Sequence, residues 1–473
     1  MRKTKIVCTL GPACLKEEIL EEMLKNGMNV ARFNFSHGTH EYHKKAIELF
    51  RSVRDRLQRP AAVLLDTKGP EIRLRDFENG RITLHEGDEF TLTVEDALGN
   101  ETRASITYAD LPRQLYAGIR ILLDDGRVAM TVLDANETEI RCRVVEGGVL
   151  SNHKSMNIPN FHIDMPYISK ADEADLIFGI EQNVDFIAAS FVRSEKDVIQ
   201  LRKFLDYHGG HSIKIISKIE NIEGVNNFDK ILEHSDGIMV ARGDMGVEVE
   251  FERLPGLQKR FIRKCYQSGK MVITATQMLE SMVHAFTPTR AEITDVANAV
   301  FDGTSAVMLS GETATGDHPA LVVKVMAQIA EQAEKDAFEL DVYRGIKYDS
   351  DMSDVTNAIC DAAATTARDV RARAIIAVTW SGLAARRVSK FRPEQMIVAA
   401  TPVHKTFHQL SLSWGVFPVL ALNQNSTDDL FVHAIDCAKQ IDIVSRGDQV
   451  VITAGVPLNM EGTTNLLKVQ TVG

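Results

Sequence analysis

The sequence predicts an α/β protein built around an eight-unit (β/α)₈ barrel, with a small β-domain inserted into it and a separate α/β domain after it. Three observations predict this. Eight short apolar runs recur, each followed by a turn and a helix-like segment. One long stretch between the third and fourth runs changes to alternating, hairpin-like patterning. After the eighth unit a polar stretch without a clear period precedes a new set of apolar strands.

The eight runs are "TKIVCTLG", "MNVARFNF", "AAVLLDT", "DFIAASF", "IKIISKIE", "GIMVARGD", "MVITATQ" and "SAVMLSG". Continuous apolar strands alternating with helices indicate a parallel sheet covered on both faces. Eight such units favour closure into a TIM-type barrel over an open sheet. The interruption contains "RITLHEGDEFTLTV", "IRILLDDGRVAMTVL" and "EIRCRVVEGGVL", which alternate and carry Gly and Asp turns. It reads as a small β-barrel inserted into one barrel loop. Helix spacing returns in "PALVVKVMAQIAEQAEKDAFEL", and "YRGIKYDSDMSD" follows as a linker. Beyond it, "RAIIAVTW", "MIVAATP", "VFPVLAL", "DQVVITAG" and "LLKVQTVG" alternate with helical segments. That pattern predicts an open, mostly parallel sheet. The expected domains are therefore a discontinuous barrel over 1–69 and 167–343, an inserted lid over 70–166, and a C-terminal domain over 344–473.

Composition narrows the function classes. A chain of 473 residues with a formal net charge of -11 lacks the basic footprint of a nucleic-acid binder. A local cationic pocket for an anionic substrate remains compatible with it. The six cysteines (Cys8, Cys14, Cys142, Cys265, Cys360, Cys437) form no CxxC pair or zinc-like spacing, so reduced thiols in a cytoplasm are expected. No run approaches the roughly 18 apolar residues of a transmembrane helix. The start, "MRKTKIVCTLGP", reads as a first strand rather than a signal peptide. A soluble, cytoplasmic protein with no membrane or nucleic-acid partner is expected.

The polar residues on the barrel strands carry the chemistry. Arg32 and Asn34 end the second strand, with Ser36 just past it; Asp66 and Thr67 end the third. Lys218 and Glu220 end the fifth, Asp244 follows the sixth and Thr276 the seventh. All gather at the C-terminal ends, where barrel enzymes place their sites. Glu220 and Asp244 offer hard oxygen ligands without His or Cys, which suits Mg²⁺ or Mn²⁺ better than Zn²⁺. Arg32 and Lys218 suit a phosphate or carboxylate. The turn at Gly243 offers backbone N–H groups for an anion. Asn34, Ser36, Asp66 and Thr67 are oxygen donors with one formal negative charge, a set that suits a monovalent cation. These residues point to a metal-dependent enzyme acting on a small phosphorylated acid.

Several long motifs then carry a resemblance. "RFNFSHG" (Arg32–Gly38), "LDTKGPEIR" (Leu65–Arg73), "ISKIEN" (Ile216–Asn221), "MVARGDMGVE" (Met239–Glu248), "ITATQMLESM" (Ile273–Met282) and "PTRAEITDVANAVFDGTSAVMLSGETATGDHP" (Pro288–Pro319) together resemble the pyruvate kinase family. The likeness runs through essentially the whole chain. It implies phosphoryl transfer from phosphoenolpyruvate to ADP, the last step of glycolysis, giving ATP and an enolate that is protonated to pyruvate. It implies that Lys218 stabilises charge in transfer, that Arg32 binds the substrate phosphate, and that Glu220 and Asp244 hold Mg²⁺ or Mn²⁺. Gly243, Asp244 and Thr276 match substrate-binding positions, with Thr276 near the face of the enolate that receives the proton. Asn34, Ser36, Asp66 and Thr67 match a K⁺ site, and Glu71 matches the glutamate of K⁺-dependent members. Arg73 and Lys154 match nucleotide positions, and His37 is expected near the nucleotide. The resemblance also implies a homotetramer and a C-terminal effector loop, here Thr379, Ser381 and Gly382. Leu383 and Ala384 remove hydroxyls from that loop, which implies weak or altered activation by sugar phosphates such as fructose 1,6-bisphosphate.

Plainer readings stand beside these. Lys218 and Glu220 also fit a structural ion pair, Asn34 and Ser36 a turn and helix cap, and Arg73 and Lys154 ordinary surface cations. His37 also fits a helix-start residue. Two rival functions are an aldolase-like lyase with Lys218 as a Schiff-base amine and a catalytically silent metabolite-binding regulator.

Overall fold

The computed structural model describes residues 1–343, 354–458 and 464–473. The linker reading of 343–354 and part of the loop before the last strand thus fall largely outside the described residues. The eight apolar runs form β1 (Lys5–Thr9), β2 (Val30–Asn34), β3 (Ala62–Asp66), β4 (Phe186–Ala189), β5 (Lys214–Ile219), β6 (Gly237–Ala241), β7 (Met271–Ala275) and β8 (Ala306–Leu309). Each pairs in parallel with its neighbour in sequence, and β8 pairs back onto β1 to close the barrel.

Period-2 alternation sorts these strands into two cores. Ile6, Ala31, Val63, Leu65, Ile215, Ile238 and Val272 point outward and pack under the helices. Val7, Val30, Leu64, Ala188, Ile216, Met239 and Ile273 point inward and fill the barrel. The inward phase continues to the upper strand ends. There it reaches Thr9, Arg32, Asp66, Ser190, Lys218 and Glu220, all buried. The strand registers therefore set a polar layer on top of an apolar interior.

The insert leaves the barrel after β3. Seven of its strands form one sheet, ordered Ile72–Arg73, Ser155–Asn157, Arg120–Leu123, Val128–Ala135, Glu139–Glu146, Glu89–Thr93 and Arg103–Ser105. Its two edges meet where Leu74 bridges Ile106, so the sheet curls shut around a core of its own. The strand pairing agrees with the small β-barrel expected there.

The C-terminal strands are β9 (Ala374–Val378), β10 (Met396–Thr401), β11 (Val416–Leu420), β12 (Gln449–Gly455) and β13 (Thr464–Thr471). They lie in the order β11-β10-β9-β12-β13, parallel except for the antiparallel last pair. This domain covers the N-terminal end of the barrel. Leu412 joins the barrel's interior core from below. Lys5 at the foot of β1 donates from Nζ to Val416 O at 2.6 Å, and Lys3 Nζ donates to Gln395 O at 2.8 Å. The carboxylate of Glu334 accepts the Lys3 and Thr4 amides and clamps this strap to the helix Pro319–Glu339. With one end plugged and the other facing the insert, the polar layer has a single approach. Among the described residues no helix is long and apolar enough to cross a membrane.

His408, on the short helix that docks against the barrel, gives this interface a pH dependence. Burial and the nearby Arg54 push its imidazole down to about 3. An unfolded histidine takes up its proton near pH ~6.5. Between those values the unfolded chain binds more protons than the native one, so stability falls as pH drops below about 6.5. Thermal midpoints measured from about pH 5 to 7.5 are expected to slope more steeply in the unmodified chain than in His408→Gln.

Candidate active site

Four buried charges form the floor of the site. Arg32 Nε donates to Asp66 Oδ2 at 2.6 Å, and Arg32 Nη1 donates to Thr9 Oγ1 at 2.8 Å. Lys218 Nζ lies 3.1 Å from Asp66 Oδ1 and 2.9 Å from Glu220 Oε1. It also donates to Ser190 Oγ at 2.7 Å. Glu220 Oε2 accepts the Phe191 amide at 2.7 Å. Glu220 Oε1 is different. It sits near the ammonium but receives no aligned hydrogen bond from any group, although it is buried. The structural ion-pair reading of Lys218 and Glu220 is thus real, yet it leaves one acceptor unsatisfied.

The protonation directions follow from these contacts. Burial opposes charge on Asp66, but Arg32 and Lys218 outweigh it and hold the carboxyl below its usual range. Burial likewise opposes charge on Lys218, and Asp66 and Glu220 outweigh it, so the ammonium is held above its ordinary value. For Glu220 burial wins: despite Lys218, the carboxyl is pushed up to about 8, with Asp244 adding to the rise. A further cation beside Lys218 would favour the ionised form of this buried carboxyl. Glu220 and Asp244 are two protein carboxylates with no His or Cys cluster near them among the described residues. The donor set therefore fits a hard divalent ion that takes its other ligands from water or substrate.

Thr276 is held in an uncommon conformation. Its φ of 71° and that of Gln277, 54°, lie in the left-handed region that a β-branched residue rarely adopts. The guanidinium of Arg242 keeps the turn in place. Nη2 donates to Thr276 O at 2.6 Å, while Nη1 pairs with Asp295 at 2.7 Å. The Thr276 hydroxyl accepts the Gly243 amide at 2.9 Å. Of the backbone N–H groups expected at this turn, that of Gly243 is therefore engaged by Thr276. What remains is Gly243's lack of a side chain facing the Thr276 hydroxyl.

The oxygen donors of the second and third strands are also neighbours. Asn34 and Asp66 are direct partners in the β2–β3 register. Asn34 Oδ1 accepts the Ser36 amide at 3.1 Å, so the turn reading of that pair holds as well. Thr67 Oγ1 accepts the Ser190 amide at 3.1 Å.

A cleft of about 1130 Å³ separates the insert from the barrel. Arg73 and Lys154 line it from the insert, and Asp244 and Phe191 line it from the barrel. Both cations are paired: Arg73 with Glu71 through two bonds of 2.7 and 2.8 Å, Lys154 with Asp124 at 2.8 Å. His37 is exposed, gives its carbonyl to His43 Nε2, and is not part of that lining. In the C-terminal domain, Thr379, Ser381, Trp380, Leu383 and His433 line a second cavity of about 800 Å³. Its loop is closed by the Gly382 amide donating to Thr379 Oγ1 at 3.0 Å.

Sequence reasoning missed Thr9, Ser190, Arg242 and Asp295. The first two were accessible, since they continue the inward phase of β1 and β4. Arg242 and Asp295 act through contacts between distant segments, and no local pattern announces them.

Comparison with known proteins agrees with this geometry. Residues 1–323 match the family described as pyruvate kinase, barrel domain, and residues 357–470 match pyruvate kinase, alpha/beta domain. The pyruvate kinase of Clostridium acetobutylicum is 46% identical over 473 residues, covering 100% of both chains. That of Geobacillus stearothermophilus is 47% identical over 473 residues, covering 100% of this chain and 80% of the relative. A crystal structure of a pyruvate kinase from Cryptosporidium parvum superposes with a TM-score of 0.93 at 40% identity, covering 100% of this chain and 96% of that one.

Arg242→Lys removes the fork that spans Thr276 O and Asp295. It is expected to lower turnover about 10- to 100-fold, the scale of a misplacement near 1 Å. Initial rates, with a thermal melt to confirm folding, check this.

Proposed function

The chain belongs to the pyruvate kinase family, and on that premise we propose how its residues transfer the phosphoryl group of phosphoenolpyruvate to ADP. The bond from phosphorus to the enol oxygen breaks, a bond to the terminal oxygen of ADP forms, and the enolate takes a proton at its methylene carbon to give pyruvate. The observation that carries the proposal is the Arg32–Asp66–Lys218–Glu220 cluster at the mouth of the barrel.

Arg32 and Lys218 bind and orient the phosphoryl group, with Lys218 aimed at charge that builds on it and on the enol oxygen. Glu220 and Asp244 would hold Mg²⁺ or Mn²⁺, which when bound neutralises charge on the substrate oxygens. Asp244, Gly243 and Thr276 shape the substrate pocket, and Thr276 stands at the face where the proton arrives. Arg73 and Lys154 receive the phosphates of ADP in the cleft, and His37 is left out of this set. Phosphoryl transfer asks mainly for positioning and charge neutralisation, which is what such residues supply.

Asn34, Ser36, Asp66 and Thr67 would hold K⁺. The charges support this. Asp66 is the one formal negative charge among these four donors, and it is a direct neighbour of Asn34 in the β2–β3 register. Replacing K⁺ with a larger organic cation such as tetramethylammonium is expected to reduce the rate several-fold; unchanged rates would remove the monovalent site.

The Schiff-base reading needs a lysine whose pKa is depressed. The opposite shift at Lys218 supports a charge-stabilising role instead. At the C-terminal loop we propose a phosphorylated effector that acts weakly, since apolar Leu383 and Ala384 stand beside Thr379 and Ser381. A homotetramer in the cytoplasm is the corresponding cellular form.

The test of the reaction is pyruvate formation from phosphoenolpyruvate and ADP with Mg²⁺ and K⁺. Lys218→Met is expected to remain folded and lose ~10²–10³-fold in turnover. Near-normal turnover would remove Lys218 from its role.

A further inference from the structure

Ser190 stands just past β4 at 1% exposure, in the centre of the charge cluster. Its Oγ accepts from Lys218 Nζ at 2.7 Å and lies 3.1 Å from Asp66 Oδ1 and 2.7 Å from Thr67 O. A hydroxyl has a single proton to give. With the ammonium donating to it, that proton goes to Thr67 O or Asp66, and both choices fix the lone pair that faces Lys218. The backbone is fixed as well. The Ser190 amide donates to Thr67 Oγ1 at 3.1 Å. Gly69, at φ +70°, packs so close that a Cβ there would meet Ser190 O at 2.8 Å.

Packing does not account for the hydroxyl. The residues below it in the same inward phase, Phe186 and Ala188, are apolar, and alanine would continue that layer. Nor does charge pairing account for it, since Lys218 already has two carboxylates. A lysine ammonium is a compact charge on a flexible stem and turns toward whatever surrounds it. It already lies 3.1 and 2.9 Å from Asp66 and Glu220, and the Ser190 hydroxyl at 2.7 Å is the nearest of its three acceptors.

We propose that Ser190 is a positioning residue for Lys218: its hydroxyl is a third, fixed acceptor that holds the ammonium in one orientation between the two carboxylates, the orientation in which it meets the transferring phosphoryl group. The inference rests on the role given to Lys218 above. Ser190 touches no reacting atom; it acts through Lys218. It also joins Lys218 to Thr67 O and so ties the ammonium to the group of oxygen donors at the end of β3.

The experiment is a double-mutant cycle on the full-length enzyme, with phosphoenolpyruvate, ADP, Mg²⁺ and K⁺. Ser190→Ala is expected to lower kcat about 10-fold, with the KM for phosphoenolpyruvate changed less than about 3-fold. In a Lys218→Met background the same substitution is expected to change kcat less than about 2-fold, because the group it positions is gone. Ser190→Thr, which keeps the hydroxyl, is expected to recover most of the loss. An equal loss in both backgrounds, or no loss in the first, overturns the proposal. If Ser190→Ala does not fold, Ser190→Cys keeps the volume with a weaker hydrogen bond and is read by the same criteria. Normal turnover in Lys218→Met alone would instead overturn the role of Lys218, so the two failures are distinguishable.

Discussion

Everything at the working end of this protein depends on two cations and two carboxylates buried together in the barrel mouth. Burying such groups costs several kcal/mol per ion unless geometry and hydrogen bonds compensate. Here compensation is nearly complete for Arg32, Asp66 and Lys218, each of which has close partners. It is incomplete for Glu220, whose Oε1 is orphaned and whose pKa is raised. A fold selected only for stability would replace this cluster with apolar side chains. Its place on top of an apolar barrel interior sets it apart from the packed layers below.

The three domains are arranged around that cluster. The C-terminal domain plugs the far end of the barrel through Leu412 and through the Lys3–Lys5 strap, so the interior is dry from below. The strap is the start of β1, and β1 ends at Thr9, which accepts from the guanidinium of Arg32. One short strand therefore runs from the C-terminal domain to Arg32 in the charge cluster. The C-terminal domain and the charge cluster are thus joined through the two ends of a single strand.

How much of this was legible in the sequence depends on the kind of interaction. The eight strands, the insert and the open C-terminal sheet were visible because each follows from local periodicity. Lys218, Glu220, Arg32 and Asp66 were visible because charged residues at strand ends stand out against apolar runs. Ser190 and Thr9 obey the same rule but carry no charge, and small hydroxyl residues at strand ends are too common to attract notice. The partner of the Gly243 amide, Thr276, was not legible, since it comes from the next strand. Arg242 reaches Thr276 and Asp295 across 34 and 53 positions of sequence, and only the closed barrel brings them together.

The cleft shows why the insert has to be a separate domain. Arg73 and Lys154 face it, yet Glu71 and Asp124 hold them through charge-assisted bonds. Paired, they are neutral toward the barrel, and contacts such as Asn157 to Glu248 and His162 to Glu223 hold the insert only at its edge. A polyphosphate entering the cleft offers the two cations more negative charge than one carboxylate each. What the structure fixes is the resting arrangement: each cation facing the cleft is held by a carboxylate of its own domain, so any anion entering there competes with Glu71 and Asp124.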